Sequence, residues 1–156
     1  MIQRIQSLYL LIASLLTGSL FFTEFARFLD DEGFIYVLKY RGLFNIGVEE
    51  HEMKCVFTCI IIASLLIITT ISLLTTILVY KKRMIQLLLC RINIGLLICL
   101  LGMILYRCFD AKNTLDAQLS FSWVLIFPVI SVVLVILAMG GIRKDEALIR
   151  SLDRIR

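Results

Sequence analysis

Apolar residues fall into four long blocks, at 5–22 (IQSLYLLIASLLTGSLFF), 56–80 (VFTCIIIASLLIITTISLLTTILVY), 85–106 and 121–142, with polar stretches between them. A helix needs about 20 apolar residues to cross about 30 Å of hydrocarbon, so each block matches one crossing. Lipid offers backbone groups no partner, which makes each block a helix despite Ile, Val and Thr residues that favour strand in water. The pattern predicts an all-α membrane protein: a four-helix transmembrane bundle over 1–142, then a short tail over 143–156. Arg4 before the first block and Thr17, Gly18 and Ser19 late in it could also mark a cleaved secretory signal. Leu20, Phe21 and Phe22 follow at once and no Ala-x-Ala site is present, so an uncleaved first span is expected.

The polar stretches carry their own patterns. Residues 24–55 form a long outer loop, in which Asp30, Asp31, Glu32 and Gly33 predict a turn after a short interfacial helix. Phe34, Tyr36, Leu38 and Tyr40 then alternate with Ile35, Val37, Lys39 and Arg41, and Arg41-Gly42 can turn the chain back through Val48. That is a small extracytoplasmic β-hairpin, expected to lie as a lid on the helix ends, or else to offer a binding surface. Within the spans, Gly95, Cys99 and Gly102 form a small-residue stripe along which another helix can approach, as do Ser14 with Gly18 and Ser72 with Thr76. Pro128 predicts a kink in the fourth span.

Composition sharpens this picture: 60% of residues are hydrophobic and 18% charged, against about 45–50% and about 25% in soluble domains. Charge then orients the spans. With four crossings, both termini share a side with Lys81, Lys82 and Arg83, and that side holds ten of the 16 Lys and Arg residues and only Asp145, Glu146 and Asp153 of the 12 acids. Basic short loops stay in the cytoplasm, so both termini are expected there. The basic residues are split among three segments without aromatic stacking partners, which argues against nucleic acid and for anionic headgroups of the lipid bilayer.

Candidate chemistry is sparse. No span has an acid at mid-depth, as a proton-coupled transporter would need; Arg91 can snorkel to the cytoplasmic face, and Asn93 is the one amide deeper in its span. The five cysteines lack a Cys-x-x-Cys pair for thiol exchange. Cys59, Cys90 and Cys99 read as small apolar fillers, while Cys55 and Cys108, both at outer span ends, are candidates for a structural disulfide. His51, the only histidine, lies among Glu50, Glu52 and Cys55 and matches no zinc or copper pattern; an acidic helix start is expected there. A single histidine also excludes bis-His haem. No catalytic residue, metal or cofactor is therefore expected.

The tail places Leu148, Ile149, Leu152 and Ile155 on one helical stripe, with Arg150, Asp153 and Arg154 opposite and Glu146 to Arg150 as an i, i+4 pair. This is a C-terminal cytoplasmic amphipathic helix, able to lie on lipid, meet a soluble partner, or pack under the bundle with Asp145 and Glu146 against Lys82, Arg83 or Arg91. MIQRIQSLYLL, KKRMIQLLLCRINIGLL and IRKDEALIRSLDRIR together resemble an uncharacterised family of small four-span inner-membrane proteins of the Bacteroidota, a domain of unknown function. The resemblance implies a bacterial inner membrane and brings no activity or ligand. The expected function is a non-enzymatic accessory or scaffold protein that docks a protein partner or anionic lipid. The docking face comprises Lys81, Lys82, Arg83, Arg91, Arg143, Lys144, Glu146, Leu148, Ile149, Arg150, Leu152, Arg154 and Ile155. The competing class is a small transporter or lipid-handling protein with a cleft under the outer loop.

Overall fold

The computed structural model describes residues 3–30, 34–46, 53–80, 82–115 and 117–153, with side chains outside the description at 3–4, 46–58 and 146–153. Four helices carry the chain: α1 (Gln3–Ser19), α2 (Ile60–Leu78), α3 (Arg83–Leu115) and α4 (Ile126–Asp153). The last three are long and apolar enough to cross a membrane; α1 is shorter. They close a ring in which α1 packs on α2 and α4, and α3 on α2 and α4.

The ring is built from stripes of 3.6 periodicity: Gln6, Leu10, Ala13 and Thr17 on α1, Ile62, Leu66, Thr69, Leu73 and Thr76 on α2, and Ser131, Val135, Ala138 and Ile142 on α4. The buried stripes are rich in small and polar residues, whereas Ile67, Ile68, Ile71, Ile98, Ile136 and Leu137 face outward. A water-soluble bundle distributes these types the other way round, and lipid as solvent explains the inversion. Hydroxyls inside the helices satisfy themselves: Thr69 Oγ1 donates to the Leu65 carbonyl at 2.7 Å and Thr17 Oγ1 to Ala13 at 2.8 Å.

At the end where α2 begins, the loops form more than a hairpin. Strands β1 (Ala26–Leu29), β2 (Ile35–Lys39), β3 (Gly42–Ile46), β4 (Met53–Thr58) and β5 (Gln118–Phe121) make one antiparallel sheet in the order β4-β3-β2-β1-β5. The hairpin turn lies at Tyr40-Arg41, one residue before the expected Arg41-Gly42, and Gly42 opens β3 opposite Lys39. The interfacial helix does not: Ala26–Leu29 is a strand, because β2 on one side and β5 on the other satisfy its backbone. The helix start expected near His51 also gives way, since Met53–Thr58 pairs with β3 and α2 begins at Ile60. Ala26, Phe28, Leu38 and Leu43 pack from the sheet onto Ile62, Leu66, Leu100 and Ile104 of the helices.

Helix boundaries differ from the apolar blocks where polar residues can stay helical or apolar ones find strand partners. Helix α1 ends at Ser19 in tightened i to i+3 bonds through Phe22. Helix α3 runs on through Arg107 and Lys112, and Phe121, expected to open the fourth span, lies in β5. Pro128 falls in the first turn of α4, where its missing N–H is one of the orphan donors, so the reason for a kink disappears. The tail is not a separate helix: α4 continues through Gly140 and Gly141 as far as Asp153. Gly95, Cys99 and Gly102 face away from the ring, and a Cβ at either glycine would meet nothing within 4 Å.

Candidate functional site

The end opposite the sheet is organised by one close approach. Gly141 of α4 lies against Gln6 of α1, and a Cβ at Gly141 would come within 2.9 Å of Gln6 Cγ and 3.0 Å of its Nε2. The missing side chain lets the Gln6 amide reach along α4 and donate from Nε2 to Asp145 Oδ2 at 2.8 Å. Gln6 is itself buried, at 6% exposure, so its amide is committed to this bond rather than to bulk water.

Around that bond lies a cleft of about 20 Å³ lined by Gln6, Ser7, Tyr80, Arg83, Gln86 and Asp145, with Ile142 behind them. This volume holds about one water-sized group. Gln86 is buried and donates from Nε2 to the Thr76 carbonyl at a long 3.4 Å. Further along α3, Asn93 donates from Nδ2 to Thr76 Oγ1 at 2.8 Å. Arg83 opens α3 beside the cleft, and its Nη1 is buried without a hydrogen-bond partner. The cleft therefore holds one cationic donor without an acceptor and one carboxylate held by a neutral amide.

Among the described residues that the sequence marks for docking, the structure brings only Arg83 into this cleft. Lys82, Arg91, Arg143 and Lys144 are exposed. Asp145 turns to Gln6 rather than to Lys82 or Arg91. Lys81, Arg154 and Ile155 lie outside the described residues; Glu146, Leu148, Ile149, Arg150 and Leu152 belong to α4, with side chains outside the description. Cys108 is a free, buried thiol in the cluster that also holds Cys59, and the Cys55 side chain lies outside the described residues, as does His51. Gln6, Gln86 and Gly141 are site residues that charge and motif reasoning miss. Their signal is an amide one turn inside the first end of α1 and of α3, each on its buried stripe, and on α4 a glycine one turn before an acid.

A second cleft, also about 20 Å³, lies under the sheet and is lined by Leu38, Leu43, Cys59, Arg107, Asp110 and Thr114. Arg107 already meets Asp110, Nη1 to Oδ2 at 3.4 Å, although its Nε is buried without a partner.

Four helices, three of them able to cross a membrane, with a sheet capping one end and a polar cleft at the other, define a small helical protein of the membrane-crossing class. The chain belongs to the family described as Domain of unknown function (DUF4293), which matches residues 2–155. No curated protein matches it.

Proposed function

We propose that the chain is a non-enzymatic, four-span protein of a bacterial inner membrane, of the Bacteroidota by resemblance, with both termini cytoplasmic. It serves as an accessory or scaffold whose basic end docks a protein partner or anionic lipid. The observation that carries this reading is that Lys82, Arg143 and Lys144 are exposed at the same end of the ring and none is spent on an ion pair among the described residues. Ten basic residues on that side of the chain point the same way by the charge rule for cytoplasmic loops. Helix α1 is about 26 Å long, a turn short of the hydrocarbon thickness, and the apolar turn Leu20 to Phe22 extends it.

The test is cross-linked capture from intact cells with the full chain and with a Lys82→Gln, Arg143→Gln, Lys144→Gln variant. Loss of captured protein or acidic lipid in the variant supports docking. Identical recovery from both removes it. The competing reading, a transporter or lipid-handling protein, has the cleft under the sheet in its favour; the pairing of Arg107 with Asp110 leaves that cleft less charge to offer a ligand.

A further inference from the structure

We infer that the open edge of β5 pairs with β5 of a second copy of this chain, antiparallel about a two-fold axis at Ser120, so that two chains share one continuous sheet. The inference adds an interface and a partner at the end opposite the basic face, and it is independent of the docking proposal.

Bonds at the two ends of β1 fix which way the backbone groups point. Asp30 N–H donates to the Phe34 carbonyl at 3.0 Å, in register with the Phe28↔Tyr36 and Ala26↔Leu38 pairs, so Ala26 and Phe28 direct their N–H and C=O to β2. Arg27 and Leu29 then direct theirs to β5, and Ser122 N–H donates to the Phe25 carbonyl at 3.1 Å in the same alternation. In β5, Gln118 and Ser120 therefore bond to β1, while the N–H and C=O of Leu119 and Phe121 point away from the sheet. Among the described residues nothing bonds them. Natural sheets guard such an edge with charge, proline, a bulge or a covering element. The strand Gln118–Phe121 carries no charge and no proline, pairs with β1 without a register shift, and leaves Gln118, Ser120 and Phe121 exposed.

The edge complements itself, which selects a second copy as its partner. Leu119 and Phe121 flank Ser120, so a two-fold axis at Ser120 sets Leu119 of each copy opposite Phe121 of the other, and every outward donor meets an acceptor. An axis at Leu119 or at Phe121 would leave one such reciprocal pair in place of two. Leu119 packs toward the helices, and Phe121 on the same side is 50% exposed with its ring edge-on to Phe109 of α3. The pairing lays a leucine against that exposed ring. On the other side Ser120 meets Ser120 and Gln118 meets Ser122, polar against polar. The symmetry also suits a bilayer: the two-fold of an antiparallel pair stands normal to the sheet, and this sheet caps the ring with one face on the helices. The axis thus follows the helices, and both copies cross the membrane with the same polarity.

Cross-linking of the full chain in native membranes under a mild copper oxidant tests the register. Ser120→Cys should give a reducible covalent dimer beyond the level of the unaltered protein, because residues opposed across such a pair have Cβ atoms about 4.5–5.5 Å apart. Gln118→Cys alone should not, since the two copies of that residue lie about 14 Å apart along the strands. Gln118→Cys expressed together with Ser122→Cys should restore the dimer. Leu119→Pro removes a donor that β1 does not use, a change an edge strand tolerates; in the Ser120→Cys background it should abolish the cross-link and leave the thermal unfolding midpoint in place. No added dimer from Ser120→Cys, or equal dimer from Ser120→Cys and Gln118→Cys, overturns the inference without reliance on the proline variant. So does a cross-link that survives Leu119→Pro. The docking proposal fails separately, through the Lys82, Arg143, Lys144 variant.

Discussion

Asn93 is fully buried in the apolar interior, where its Nδ2 donates to Thr76 Oγ1 and its Oδ1 has no partner. The two ends of this bond are unequal. Thr76 Oγ1 also donates to the Ser72 carbonyl at 2.7 Å, so the hydroxyl stays satisfied if Asn93 is removed. The Asn93 amide keeps only a marginal contact, 3.5 Å to the Ser72 carbonyl, if Thr76 is removed. Leaving a buried polar group unmet costs more than removing both polar groups together. Thr76→Val should therefore destabilise the protein by about 1 kcal/mol, and Asn93→Leu, which also removes the unpaired Oδ1, should cost less or stabilise. Unfolding midpoints in a denaturing-detergent titration check the order. A larger loss for Asn93→Leu than for Thr76→Val would show that Asn93 acts by something other than this bond.

At the scale of elements, the apolar blocks predict the helices because lipid imposes one solution on each. The sheet was legible only where its pairing is local. Tyr36 to Ile46 reads as a hairpin from alternation and a turn, but β5 finds β1 nearly ninety residues away in the chain, and the alternation of Gln118, Leu119, Ser120 and Phe121 is too short to announce a partner. The same holds for the site. Arg83 stands out as a charge, whereas Gln6 and Asp145 lie 139 residues apart and meet only because α1 and α4 close the ring. Gly140-Gly141 looks like a break before a tail, and the structure makes Gly141 a contact within one helix. Gly141→Ala should cost about 1–3 kcal/mol, since its Cβ overlaps a buried side chain. In a Gln6→Ala background the same change should be neutral or stabilising by up to about 1 kcal/mol, because alanine is the better helix former. Thermal unfolding of the four proteins in one detergent measures the coupling; simple additivity would sever the link between Gly141 and Gln6.

Over the whole molecule, the inverted distribution of residues makes a claim about solvent. Gln, Asn, Ser and Thr side chains share the ring's interior with Leu, while exposed Ile and Leu cover its flanks, which is stable only where the surroundings are themselves apolar. Cys99 tests this directly. It is exposed at the middle of α3, sixteen residues from either end of the helix. Cys90 and Cys108, on the same helix, face inward and are buried. In native membranes Cys99 should resist a charged, water-soluble maleimide and react with a lipid-soluble one, because the charged reagent cannot enter hydrocarbon. After transfer to mild detergent that keeps the fold, the lipid-soluble reagent should still mark Cys99 before Cys90 or Cys108. Rapid labelling of Cys99 by the charged reagent in membranes would place that flank of α3 in water, against lipid or another chain at most weakly. The four-span proposal would then have to give way to one in which α3 lines an aqueous path.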